Sequence, residues 1–225
     1  FAIQARELTQ LQSTLQNQIE KFGGHVFAEG AMVIPGSITL NGQYYSLKLA
    51  STFASETVDP AQYFNATTPV TLTGETSGVT AVVIGFDIAT TTDQPTLYLR
   101  YLASGTDNVT AVFADGENIS ANAGITHTTS YSSNIASATT FTSTFSAAAG
   151  SSAANLASST GPASRIGSAA TIQSGVYYVR GMFVTCSEET LVLDKYNNRP
   201  FYRVGFAVTE TLVTPESDTT LLDNS

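Results

Sequence analysis

Between residues 2 and 22, apolar side chains recur at intervals of three and four: Ile3, Leu8, Leu11, Leu15, Ile19 and Phe22, with Gln, Ser, Thr and Asn on the opposite face. That spacing predicts an amphipathic helix. Gly23-Gly24 is expected to stop it, and Lys21 suits the negative end of the helix dipole. Leu8, Leu11, Leu15 and Ile19 are therefore candidate packing or assembly residues. The preferred expectation is that they pack on the chain's own sheet. The seven-residue interval of Leu8, Leu15 and Phe22 leaves an oligomeric coiled coil as the alternative.

From Val26 onward the period changes to two. Asn41-Gly42 between SITL and QYYSLKL is a strong short-range hairpin signal, so residues 24–67 read as a meander of tight hairpins. Residues 68–120 carry four apolar runs (VTL, VTAVVIGFDI, TLYLRYL and TAVFA) separated by Gly-containing turns, among them GETSG and ADGE. They predict a small barrel-like domain inserted in the main one. Residues 121–174 are dominated by Ser, Thr, Ala and Gly, with Tyr131, Ile135, Phe141 and Phe145 thinly spaced. An extended arm or linker is expected there. An arm laid across a neighbouring subunit is preferred, because small uncharged residues cost little to bury but their backbone needs partners. Strand grammar returns over 175–225, where Tyr202, Val204, Phe206 and Val208 alternate with Arg203, Gly205, Ala207 and Thr209. The tail is expected to leave as a loop with a short helical turn after Pro215. The fold class expected is mainly β: an antiparallel sheet, an N-terminal helix over 1–23 and the inserted small β-barrel-like domain.

Composition narrows the function. Only 12% of residues are charged, the net charge is −9 and the pI is about 4.5. Nine Lys and Arg, scattered singly, make DNA or an anionic membrane surface a poor partner. Cys186 is the sole cysteine, which excludes an intrachain disulfide or a paired-Cys zinc motif. No apolar run is long enough to span a bilayer. The chain opens on Phe1 and ends in mid-pattern, so it is expected to be part of a longer polypeptide.

Reactive chemistry is not signalled. His25 and His127 lack Cys or carboxylates at ligand spacing, and GTDNVTAVFADGEN does not place its acids at the alternate positions that Ca²⁺ requires. GPASRIG lacks the strand–helix context of a nucleophile elbow. No enzyme activity, cofactor or metal is expected. Arg180, Asp194, Arg203 and Glu210 stand out as charges within apolar strands. They are candidates for an Arg–carboxylate pair bridging strands or subunits, and solvent-facing positions are the alternative.

Two stretches carry a resemblance. AIQARELTQLQSTLQNQIEKFG supplies Ile3, Arg6, Glu7, Leu8 and Leu11. GSAATIQSGVYYVRGMFV, LVLDKYNNRPFYRVGFAVTETLVTPESD and LLDN supply Gly175, Arg180, Gly181, Asp194, Tyr196, Pro200, Arg203, Gly205, Pro215, Glu216 and Asp218. Both resemble a family of structural proteins in T-even-like myoviruses of cyanobacteria. The resemblance implies a virion structural protein of the tail or baseplate, or of a fibre-attachment region. It would be made in the host cytoplasm and assembled with itself, a trimer by analogy with tail appendages. Other tail proteins are implied partners, as are a tail fibre or a host surface receptor. A receptor- or glycan-binding adhesin with Tyr44, Tyr45, Tyr63 and Tyr131 on loop tips is one alternative. An envelope-polysaccharide hydrolase and a capsid or neck decoration protein are the others.

Overall fold

The computed structural model describes residues 5–132, 140–157, 161–211 and 213–221. One helix, α1 (Ala5–Val26), precedes fifteen strands among these residues. The first seven are β1 (Met32–Ile34), β2 (Ile38–Lys48), β3 (Thr52–Phe53), β4 (Glu56–Thr57), β5 (Thr71–Gly74), β6 (Thr80–Asp87) and β7 (Thr96–Ala103). There follow β8 (Asn118–Ala121), β9 (Ile125–Ser132), β10 (Thr140–Ala147), β11 (Ser152–Asn155) and β12 (Ser164–Ile172). The chain closes with β13 (Gly175–Val179), β14 (Met182–Cys186) and β15 (Glu189–Asp194). The protein is mainly β, and its strands pair antiparallel.

An eight-stranded sheet in the order β11-β8-β5-β6-β7-β2-β12-β15 forms the body. Leu47, Leu72, Ala81, Val83, Leu97, Leu99 and Ile119 alternate inward along its strands and are buried. The β3–β4 hairpin, the 3-10 turn Pro60–Tyr63 and the β9–β10 hairpin add Phe53, Val58, Tyr63, Ile125 and Phe145 to the same core. Asp59 caps the 3-10 turn, its side chain accepting from Ala61 N. A separate three-stranded sheet, β1-β13-β14, sits at one end of the body.

Several expectations are corrected. Asn41-Gly42 makes no hairpin, because β2 runs straight through it. Opposite β12 the register slips there: Ala169 faces Asn41 while Gly167 faces Tyr44, which leaves one extra residue on β2. Asn41 Oδ1 accepts from Gln43 N at 2.9 Å. The dipeptide serves a β-bulge instead of a chain reversal. The meander expected over 24–67 is absent as well, since β1 pairs with β13 and β2 with β7 and β12.

Strands β5 to β8 close into no barrel of their own. They are adjacent in the large sheet, which β2 continues on one side and β11 on the other. The expected arm is likewise part of the body: β12 fills the gap between β2 and β15. Its small residues do allow close approach, but to the chain itself. A Cβ at Gly167 would lie 2.7 Å from Lys195 O, and Ser168 Oγ donates to Asn197 O at 2.9 Å.

The helix expectation is corrected at its C-terminal end. Gly23 and Gly24 lie inside α1, which continues to Val26. Ile3 and Ile135 lie outside the described residues, as does the LDN of the tail. Finally, 201–211 forms no strand, although its alternation resembles one. After Pro215 a short 3-10 turn, Thr219–Leu221, does form.

Candidate assembly surface

Every residue of α1 from Arg6 to Phe22 is exposed, and Gly23 is buried. The stripe residues Leu8, Leu11, Leu15, Ile19, Phe22 and Val26 are 49–70% exposed. The helix therefore does not lie on the chain's own sheet; it is held by its C-terminal end. There Tyr178 of β13 fits against Gly23, where a Cβ would stand 2.7 Å from the ring carbon Cζ. Tyr178 Oη donates to Glu20 O at 3.0 Å, and Phe27 and Phe183 pack on the ring at centroid distances of 5.6 and 5.6 Å. A helix of 22 residues extends about 33 Å. Most helical stability in proteins comes from tertiary packing of an apolar face, and this face packs on nothing among the described residues.

The β13–β14 hairpin turns at Arg180 and Gly181, both at positive φ (47° and 80°). Such a two-residue turn suits the strand twist. Glu29 receives the Arg180 N–H at 3.1 Å, and Arg180 Nη1 reaches Glu210 Oε2 at 2.7 Å. An Arg–carboxylate pair thus exists, but Arg180 sits at a turn tip and bridges to the C-terminal segment, with both side chains more than half exposed. Arg203 is exposed and has no ion pair among the described residues. Asp194 serves a turn, accepting from Tyr196 N at 2.9 Å. The structure does not bring Arg180, Asp194 and Arg203 together.

Residues 200–211 run beside this hairpin without backbone hydrogen bonds among the described residues. Phe206 stacks edge-on against Tyr177 at 5.3 Å, while Phe201 is fully exposed and Tyr202 and Val208 largely so. Between the segment and β13–β14 lies an apolar cleft of about 430 Å³, lined by Ile38, Ile172, Tyr177, Val184 and Phe206. The buried Tyr177 hydroxyl has no hydrogen-bond partner among the described residues. With exposed Met32, Ile34, Met182 and Phe183, this cleft forms an apolar region beside the C-terminal end of α1.

A polar network ties the turn after β15 to the body. Asp93 accepts from Tyr196 Oη at 2.6 Å and pairs with Lys48 at 3.0 Å and Lys195 at 3.3 Å. Lys195 also meets Asp87 at 2.7 Å, and Tyr98 Oη donates to Asp87. Burial alone would raise the Asp93 carboxyl, but hydrogen bonds from Tyr196, Lys48 and Lys195 outweigh it and hold it down to about 2. Burial, reinforced by Asp93, pushes the Tyr196 phenol up. Lys48 also lies 4.2 Å over the Tyr196 ring. Two lysines answer two aspartates here, an arrangement that fixes the 194–199 turn and leaves no reactive group free.

Elsewhere, buried polar residues serve structure. Glu117 accepts from Thr76 N, Ser77 N, Ser77 Oγ and Ala114 N at 2.6–3.0 Å, joining the GETSG and ADGE turns. His127 Nδ1 accepts from Asp59 N at 3.2 Å, so its Nε2–H donates to Ala153 O at 3.0 Å, beside the Tyr63 hydroxyl. Tyr63 is fully buried, and Tyr44 and Tyr45 stack on Tyr98 and Tyr101. Of the tyrosines expected on loop tips, Tyr131 is exposed. Among the described residues no group of three or more His, Cys, Asp or Glu could hold a metal ion, and no helix is long and apolar enough to cross a membrane.

Sequence reasoning missed Tyr178 and the Asp93 cluster. The glycine pair at the end of the apolar stripe was the available signal for Tyr178, read as a stop when it marked a close approach. No family model matches the chain, and no curated protein or solved structure matches it.

Proposed function

We propose that this chain is a structural subunit of the contractile tail of a bacteriophage. It builds the tail, baseplate or a fibre-attachment region through contacts with copies of itself, as a trimer, and with other tail proteins. One observation carries the reading. The stretches that resemble the cyanophage structural proteins carry many uncovered large apolar side chains, among them Leu8, Leu15, Phe22, Phe183, Phe201 and Tyr202, although Tyr177, Tyr178 and Val179 within them are buried. The intervening strands close on their own core. A subunit that keeps large apolar side chains uncovered in the stretches it shares with such proteins is suited to being joined to others, and the eight-stranded sheet gives the joint a stiff base. Contacts of this kind need no cofactor. The net charge of −9 suits a protein partner better than nucleic acid.

Labelling this chain in purified particles and imaging them tests the reading. Label at the tail or baseplate is the expected result. Label at the capsid or neck, or particles that lack the chain, would overturn it.

A further inference from the structure

The apolar positions of α1 repeat every eleven residues: Leu8, Leu11 and Leu15 recur as Ile19, Phe22 and Val26. Eleven residues over three turns is 3.67 per turn, so the stripe stays in line along a straight helix and drifts slightly right-handed. We propose that α1 packs against the same stripe of further copies of this chain, parallel and in register, in a nearly straight bundle. The inference rests on the reading that the chain is an assembled subunit, and it adds the element, the orientation and the twist.

Four features select a copy of the same helix as the occupant. The stripe is periodic in the way that self-packing requires. Its flanks are mostly uncharged, with Gln12, Gln16, Gln18 and Thr14, and Glu7 and His25 are the titratable groups within about 90° of its centre, so identical helices would bring few like charges together. Gly23, which takes the body's Tyr178, lies about 80° round the axis from the stripe centre. Docking to the body therefore leaves the stripe clear.

The fourth feature is area, which fixes the orientation. Six apolar side chains, each about half exposed or more, offer roughly 500 Å² per helix. A stable interface needs about 800 Å² per partner. The remainder must come from the adjoining apolar region. Phe183 packs on Phe27 at 5.7 Å and Gly181 lies against Glu20, so that region adjoins the helix at its C-terminal end. Parallel helices bring these regions together, whereas antiparallel helices hold them about a helix length apart.

Full-length chains carrying Cys186→Ser and one new cysteine, at Leu8, Leu15, Phe22 or the opposite-face Ser13, would be oxidised mildly and their covalent mass measured. The expected result is chain-to-chain disulfides from Leu8→Cys, Leu15→Cys and Phe22→Cys, and none from Ser13→Cys. Disulfides at Leu15→Cys alone would mean antiparallel helices and overturn the proposal. So would equal yields at all four positions. A second variant, Leu15→Asp, removes the stripe without touching the body and is expected to lower the solution mass. An unchanged oligomer mass with no stripe disulfides would sink the helix proposal while leaving the subunit reading intact. That reading fails separately, on particles that lack the chain.

Discussion

Gly23 and Gly24 are neighbours in the same helical turn, yet replacing each with alanine should change stability in opposite directions. In a helix interior, alanine is favoured over glycine by about 0.8–1.0 kcal/mol. At Gly24 the added methyl meets Tyr178 Oη at 3.8 Å, an ordinary contact, so Gly24→Ala should gain most of that amount. At Gly23 the methyl would stand 2.7 Å from both Cζ and Oη of Tyr178, which is too close. The ring must move, straining its packing with Phe27 and Phe183 and weakening the hydrogen bond to Glu20 O. Overpacking costs about 1–3 kcal/mol and the hydrogen bond about 1 kcal/mol. Against the propensity gain, Gly23→Ala should loosen this corner by about 1–2 kcal/mol. Hydrogen exchange of the segment 19–31 is the assay, because it reads local opening. The expected result is roughly 5–30-fold faster exchange in Gly23→Ala and slower exchange in Gly24→Ala. If both variants exchange more slowly, Gly23 is only a flaw in the helix and the Tyr178 anchor is refuted.

Glu117→Gln keeps its shape but turns an NH₂ toward backbone donors, and should lower the urea-unfolding free energy by about 2–3 kcal/mol; a loss under about 0.5 would contradict the account. The Asp93 carboxyl titrates lower in the folded chain than its ordinary value of 3.8, so its stabilisation is full above about pH 4 and fades as pH falls toward 2. Melting temperatures of the native chain and Asp93→Asn should therefore differ at pH 6 and converge toward pH 2. A constant gap would argue against the network. The exposed Arg180–Glu210 pair should couple by no more than about 0.5–1 kcal/mol in a double-mutant cycle and lose most of that in 1 M salt.

Where apolar alternation was strong the strands were legible. The pattern in β6 and β7 marks the inward face of the sheet because Val and Leu carry it. In β9 the inward positions are Ile125, His127 and Thr129, and in β12 close backbone passage demands Gly, Ser and Ala. Neither strand shows an apolar signature, so both hid in a segment that read as an arm. Asn41-Gly42 shows the opposite error: a residue pair tolerant of irregular backbone serves a bulge as readily as a turn. At the candidate surface, the stripe Leu8, Leu11, Leu15 and Ile19 was visible, but what it faces was not, because periodicity defines a face without naming its partner. Arg180 was chosen for its rarity within an apolar run. Its role at a turn tip, and its pairing with Glu210, follow from the positive φ that it shares with Gly181.

Under the proposed function, the end bearing α1, β14 and the 200–211 segment is covered by copies of the chain, and the body is not. Hydroxyl-radical footprinting across a concentration series, with mass measured alongside, reads both parts at once. The account predicts that Leu15, Phe22, Met182 and Phe201 become protected as the mass rises above the 23.6 kDa of one chain, while labelling of exposed Val109 on the body stays constant. A mass that stays at one chain, with those four residues labelled equally at every concentration, would contradict it.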